Sequence, residues 1–341
     1  MLLNMLSQTN NSAIRRSLKI FAYLFLVSWL IAIGVALYYR QNIIDWWRLR
    51  GYIPPNPISQ LATEDTMSDY TRHLFYLNRP QLLSAVSSFR ANCPENKDTI
   101  VLGCYHPGQN GIYIYDVADP TLAGVLQVTA AHEVLHSIYA RLSPQAKNQL
   151  NNELEDYFKN GLTSQVVKEE IKLYQQTEPN AVFDEMDSTF GTEISQLPAP
   201  LETYYKQYFK NRLAIVAHEQ NYESAFSSRQ AQIKHDDATL AQMKVQIDSK
   251  QAELKSTLSS INSKHQQLTS LQASGNTSEY NAGVAPYNAL VDSYNDEVNG
   301  LSKLIAQYNS LVSVRNQIAG QYTTLAAAID TRTAPVKQTT H

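Results

Sequence analysis

The chain has 341 residues and a formal net charge of -3, with 43% hydrophobic and 17% charged residues. That length allows one large or two smaller domains with a sizeable core. The near-balance of charge gives no ground for nucleic acid or an acidic polymer as partner.

Residues 20–39 form an uncharged, strongly apolar run. At ~1.5 Å per residue its twenty residues cover the ~30 Å hydrocarbon core of a bilayer. The run predicts a single transmembrane helix after a tail over 1–19, with Tyr38, Tyr39, Trp46 and Trp47 at the far headgroup level. A cleaved signal peptide is the rival, but its apolar region is normally shorter and no small-residue cleavage pattern follows Tyr39. Arg15, Arg16 and Lys19 precede the run while Arg40, Arg48 and Arg50 follow it, so the positive-inside rule barely discriminates. The short N-terminal tail, the large C-terminal portion and the cysteine pair together predict a cytoplasmic N-terminus and an extracytoplasmic domain at the cell membrane. Cys93 and Cys104 have the wrong spacing for CxxC chemistry. Their contexts, Asn92-Cys93-Pro94 and Gly103-Cys104-Tyr105, suit a disulfide closing a short loop better than two buried thiols.

Residues 40–61 read as a juxtamembrane linker, stiffened by Pro54, Pro55 and Pro57. Short helices are predicted over 67–77, with Thr66 and Asp69 as its capping signal, and over 80–90, with Pro80 in the first turn. The β-branched and aromatic runs 99–105 and 111–117 flank Pro107-Gly108-Gln109-Asn110 and predict a hairpin. Helices follow over 122–142, 144–160, 164–177, 180–190 and from 201 onward, with Gly161 and Gly191 as stops. Residues 62–220 form the predicted domain. Over 221–330 apolar residues recur at alternating steps of three and four, from Leu240 to Leu271 and, more strongly, from Tyr287 to Tyr322. The breaker 273–278 lies between these arms. The pattern predicts an antiparallel coiled-coil hairpin, or helices that join a partner protein or a second copy. Tyr287, Tyr294, Tyr308 and Tyr322 fall on this seam and read as packing residues. Residues 331–341 read as a disordered tail.

The chemistry lies in Val128-Thr-Ala-Ala-His-Glu-Val-Leu-His-Ser-Ile-Tyr139. His132 and His136, one helical turn apart, share a face and can reach one metal ion. Glu133 stands beside the first histidine, where it can take a proton from a metal-bound water. This HExxH helix resembles that of the zincin metallopeptidases, and the flanking Thr129, Ala130, Val134, Leu135, Ser137 and Ile138 fit the extended signature. The metzincin extension is absent, since Tyr139 and Leu142 stand where its glycine and third histidine belong. The segment 180–193 resembles the second zinc helix of the glutamate-zincins, with Glu185 as third ligand and Ser188 three residues on. It departs from the thermolysin-like version at Asp184 and Thr189, leaving Asp187 or Asp184 to orient a ligand histidine. Glu193 competes for the third-ligand role and His218 is the outside candidate. Tyr204, Tyr205 and Tyr208 are candidates for an oxyanion donor, though their spacing equally suits packing.

The resemblance covers residues 99–212 and implies a mainly α fold with a small α+β core. It implies Zn2+ bound by His132, His136 and Glu185, hydrolysis of peptide or protein substrates with Glu133 as general base, and extended substrate pairing beside 111–117. The reading from another class is a non-catalytic cell-surface adaptor, in which a degenerate or structural zinc site accompanies the coiled hairpin. A purely structural site has no use for a carboxylate at Glu133, which favours catalysis.

Overall fold

The computed structural model describes residues 2–94, 100–107 and 111–332, of which 2–17 are described by backbone. The chain is mainly helical with one small sheet. Helix α1 (Leu2–Tyr38) carries the apolar run. Its stretch Leu18–Tyr38 is long and apolar enough to cross a membrane, and none of it is buried in the protein.

The expected linker over 40–61 is largely helical. α2 (Arg40–Leu49) is followed by a turn at Gly51 and by α3 (Asn56–Glu64). Pro57 falls in the first turn of α3, where a missing N–H is harmless. Asp45 of α2, only 6% exposed, receives two hydrogen bonds at 2.7 and 3.1 Å from the Arg141 guanidinium. This segment is therefore packed on the domain rather than spacing it from α1.

α4 (Asp69–Leu77) starts at Ser68, whose hydroxyl accepts the Thr71 N–H; Thr66, the expected cap, instead sits at φ +53°. The helix expected over 80–90 is corrected to strand β1 (Gln81–Leu83) and helix α5 (Val86–Asn92). Strands β2 (Gly103–His106) and β3 (Gly111–Tyr115) form the expected antiparallel pair, Gly103 opposite Ile114 and His106 opposite Gly111. The intervening turn 108–110 and residue 99 lie outside the described residues. β1 pairs in parallel with the other edge of β3, so the sheet order is β1-β3-β2. The 111–117 run is thus central, and the edge role expected of it belongs to β2. A disulfide joins Cys93, at the end of α5, to Cys104 in β2.

After a 3-10 turn at Pro120–Leu122 come α6 (Val125–Arg141), α7 (Pro144–Asp156) with a π-turn at Tyr157–Gly161, and α8 (Gln165–Thr177). α9 (Val182–Glu193), α10 (Ala199–Tyr205), α11 (Arg212–Ala273) and α12 (Thr277–Ala328) complete the chain. α6 is the central helix: Ala130, Ala131, Val134 and Leu135 have no exposed surface. It packs against α9, α11, α4, α3 and the sheet, which is why its apolar residues run nearly all round it. Gly124 sets its start, at φ +110° and with a Cβ position already occupied by the His218 carbonyl. Only glycine lets α6 and α11 approach there. Gly191 does not stop α9, which runs on to Glu193; its bare Cα faces Leu135 and Tyr205 instead.

α11 and α12 run side by side in opposite directions. Arg315 pairs with Asp237 at 2.8 Å, Thr257 donates to Glu297 at 3.4 Å, and Leu268 faces Gly283. Ile247, Ile261, Leu268 and Leu301 are buried along the contact, with Tyr287, Tyr294, Tyr308 and Tyr322 half-buried. Val298 is the exception, 39% exposed, and Glu297 takes its place. At the base of the hairpin Leu325 and Ile329 cluster with Leu122 and Ala225. The chain at Thr331 is held rather than loose: its hydroxyl donates to Val101 O at 2.6 Å and its carbonyl accepts from Arg90 at 2.8 Å. The rest of the expected tail, 333–341, lies outside the described residues.

Candidate metal centre

Helices α6 and α9 are neighbours in the core, and their facing turns carry the candidate ligands. His132 and His136 lie on one face of α6 with ring centroids 4.9 Å apart. Glu185 reaches them from α9, with Oε2 3.6 Å from His132 Nε2 and Oε1 3.8 Å from His136 Nε2. One ligand atom from each of the three lies within 4.8 Å of the others, so the group can hold a metal ion. Glu193 and His218 are not part of this group. Glu193 sits at the far end of α9 and lines a cavity with Glu170, Glu219 and Glu223. His218 lies on α11, where its backbone carbonyl abuts Gly124.

Asp184, not Asp187, meets the candidate ligand His136. The His136 Nδ1 and Asp184 Oδ1 atoms are 2.8 Å apart, which leaves Nε2 directed toward Glu185. Ser188 locks this arrangement, donating to the Asp184 carbonyl at 2.7 Å with its oxygen 3.2 Å from His136 Nδ1. Burial opposes charge on His136, but the Asp184 hydrogen bond and the carboxylates of Glu185 and Glu133 outweigh it and raise its pKa to about 10. Burial also pushes Glu185 up, yet hydrogen bonds from His132 and Tyr174 and the nearby imidazoles carry it below the usual carboxylate range. The cluster is therefore an anionic nest that favours a cation.

Asp187 is fully buried, and burial together with Asp184 raises its carboxyl to about 8. It accepts from the Tyr204 hydroxyl at 3.1 Å, and its backbone carbonyl accepts from Tyr205 at 2.8 Å. Those two hydroxyls thus hold α10 to α9 and do not stand free at the centre. Tyr208, 7% exposed, packs on Tyr204 and Tyr70. The hydroxyl that does reach the centre is Tyr174 of α8, which also lines the cavity at Glu193 and hydrogen-bonds Glu185. A tyrosine on an amphipathic helix carries no signal of its partner in the sequence.

Glu133 is 4% exposed, and its Oε2 has no hydrogen-bond partner. Burial pushes this carboxyl up, while the imidazoles of His136 and His132 pull against it. Edge strand β2 passes directly over it: a Cβ on Gly103 would lie 2.5 Å from Glu133 Oε1 and 2.6 Å from Thr129 Cγ2. A cleft of about 270 Å³ runs between β2 and the two helices, with Tyr105, His132, His136, Tyr174 and Glu185 in its wall. An orphaned carboxylate beside three converging ligand atoms fits a metal ion with a coordinated water, which would supply the missing donor. No protein-family model, curated protein or solved structure matches the chain.

Proposed function

We propose that this protein is a membrane-anchored, zinc-dependent endopeptidase of the glutamate-zincin kind. The observation that carries the reading is the placement of the unpartnered Glu133 carboxylate beside His132, His136 and Glu185. Ligand atoms ~2.1 Å from a tetrahedral ion lie ~3.4 Å apart, and the 3.6 and 3.8 Å separations from Glu185 approach that edge. Two imidazole nitrogens and one carboxylate oxygen are a set that zinc accepts while keeping a position open.

Zinc held there supplies Lewis acidity toward a water and a peptide carbonyl. The protein's own residues do the rest. Glu133 accepts the proton of the attacking water at its free Oε2 and returns it to the leaving amine. Its burial raises its basicity, so that it is a better acceptor than an exposed carboxylate. Tyr174, whose hydroxyl donates to Glu185, orients that carboxylate toward the ion. The free edge of β2, lying over Glu133, aligns an extended substrate by main-chain hydrogen bonds.

The Leu18–Tyr38 helix serves as the anchor, and the Cys93–Cys104 disulfide supports an extracytoplasmic position for the domain. The long helices act as a coiled-coil hairpin that presents substrates or binds a partner. The test is chelation and reconstitution of the full chain in detergent. Dipicolinate is expected to abolish cleavage of casein and stoichiometric zinc to restore it. Cleavage that survives removal of all metal would refute the reading.

A further inference from the structure

Four glutamates from three helices converge beside the metal centre: Glu170 of α8, Glu193 of α9, and Glu219 and Glu223 of α11. They line a cavity of about 610 Å³ whose wall also includes His132 and Glu133. That volume lies in the range of sites built for ligands (about 300–1,000 Å³). Among the described residues no lysine or arginine forms an ion pair with any of the four. Burial, and then their mutual repulsion, pushes Glu193 well above the usual carboxylate range and Glu219 up to about 8. Glu133, 96% buried by its 4% exposure, presents an unpartnered oxygen in the same cavity wall. The fold thus gathers carboxyl groups that no lysine or arginine among the described residues balances, with Glu223 met by the Tyr222 hydroxyl.

Beside them the lining carries apolar side chains, Val125, Leu162, Val166 and Ile194 among them, together with hydroxyls and amides such as those of Ser164 and Gln220. This combination suits a cation on a hydrocarbon stem, which buries its methylenes and delivers its charge at the end. A bare metal ion fits less well. Only His132, His136 and Glu185 bring ligand atoms within 4.8 Å of one another among the described residues, so the four glutamates are spread wider than one ion's shell. An ammonium or guanidinium, with several donors reaching different acceptors, bridges such a spread.

We propose that this cavity receives a lysine or arginine side chain of the peptide substrate, so that the protein cleaves beside a basic residue. The inference rests on the peptidase reading above, because the cavity adjoins His132 and Glu133. Helices α8, α9 and α11 bring the carboxylates, and Arg212 secures α11 to the end of α9 through the Ile194 carbonyl.

The test uses the full chain in detergent micelles and peptides identical except for lysine, arginine or norleucine at one position. Cleavage sites are read by mass spectrometry, and binding is read separately by fluorescence anisotropy on the Glu133→Gln protein. The expected result is cleavage next to lysine or arginine, with norleucine peptides bound and cut at least about tenfold less well. Combining Glu193→Gln with Glu219→Gln is expected to shrink that preference below about threefold with zinc content retained. Burial and mutual repulsion push both carboxyls up in the empty cavity, so at neutral pH an uncharged amide stands close to the group it replaces and the fold is expected to tolerate it. Equal cleavage of lysine and norleucine peptides by the wild type would overturn the inference while leaving the peptidase standing. Calcium binding by calorimetry that the double variant loses would overturn it in favour of an ion site. Lysine-selective binding without cleavage of any peptide would uphold the cavity and refute the peptidase.

Discussion

Replacing Asp184 with asparagine tests whether a carboxylate behind His136 tunes the metal centre. The pair is 2.8 Å apart, and the His136 side chain is 12% exposed, so the bond is charge-assisted and poorly screened. Partners of this kind contribute about 10- to 100-fold to metal affinity, equivalent to about 1.4–2.7 kcal/mol. A second effect opposes the first. Though burial lowers it, the Asp184 bond and nearby carboxylates raise the His136 pKa to about 10, so in the metal-free protein a proton occupies the ligand at neutral pH. Zinc affinity should therefore rise with pH up to that value, as the proton is released more easily. Asp184→Asn weakens proton competition as well as orientation. Its loss of affinity should be smallest near about pH 7 and approach 10- to 100-fold only above about pH 10, where proton competition has ended. Competition against a chromophoric zinc chelator measures this directly. Asp187→Asn is the control: with its carboxyl raised to about 8 and bound to Tyr204, an amide replaces it closely, and a change under about threefold is expected. No loss at any pH for Asp184→Asn, or a larger one for Asp187→Asn, would refute the assignment.

Three other outcomes follow from the same geometry. Gly103→Ala places a methyl 2.5 Å from Glu133 Oε1; peptide cleavage should fall by roughly 10²-fold with zinc content unchanged in metal analysis. Asp45→Asn should destabilise the protein by about 3 kcal/mol in chemical denaturation, because it leaves Arg141 without its partner. Adding Arg141→Gln should cost less than the sum of the single changes. Glu219 supplies the pH test. Burial and neighbouring carboxylates raise it to about 8 in the fold, so its stabilising protonated form is complete below its unfolded pKa of about 4.3 and lost as pH rises through about 8. Melting temperature should fall over that window, and Glu219→Gln should flatten the fall; an unchanged slope would contradict the assignment.

The candidate metal-binding helix was legible because its information is local: His132 and His136 share a face by spacing alone. Glu185 was legible through a motif, and the structure brings it to the histidines as expected. The choice between Asp184 and Asp187 was not, since both face inward from one helix and only packing against α6 or α10 separates them. β1 was hidden for a similar reason. Gln81-Leu82-Leu83 has good helix formers behind a proline, and only pairing with Tyr113–Tyr115 makes it a strand. The prolines at 54, 55 and 57 suggested a linker, but Pro57 starts a helix and Asp45 finds Arg141 ninety-six residues away. Tyr174 and the acidic cavity are likewise products of tertiary convergence, which periodicity does not encode. The long helices were legible because their repeat runs through many turns, with Val298 the point where the seam drifts.

The most direct measurement is zinc content and peptide cleavage in the same preparations of full-length wild type and Glu133→Gln. The account expects about one zinc per chain in both proteins, and cleavage reduced by roughly 10³-fold or more in the variant. Undiminished cleavage in Glu133→Gln, or a wild type that binds no zinc, would contradict it.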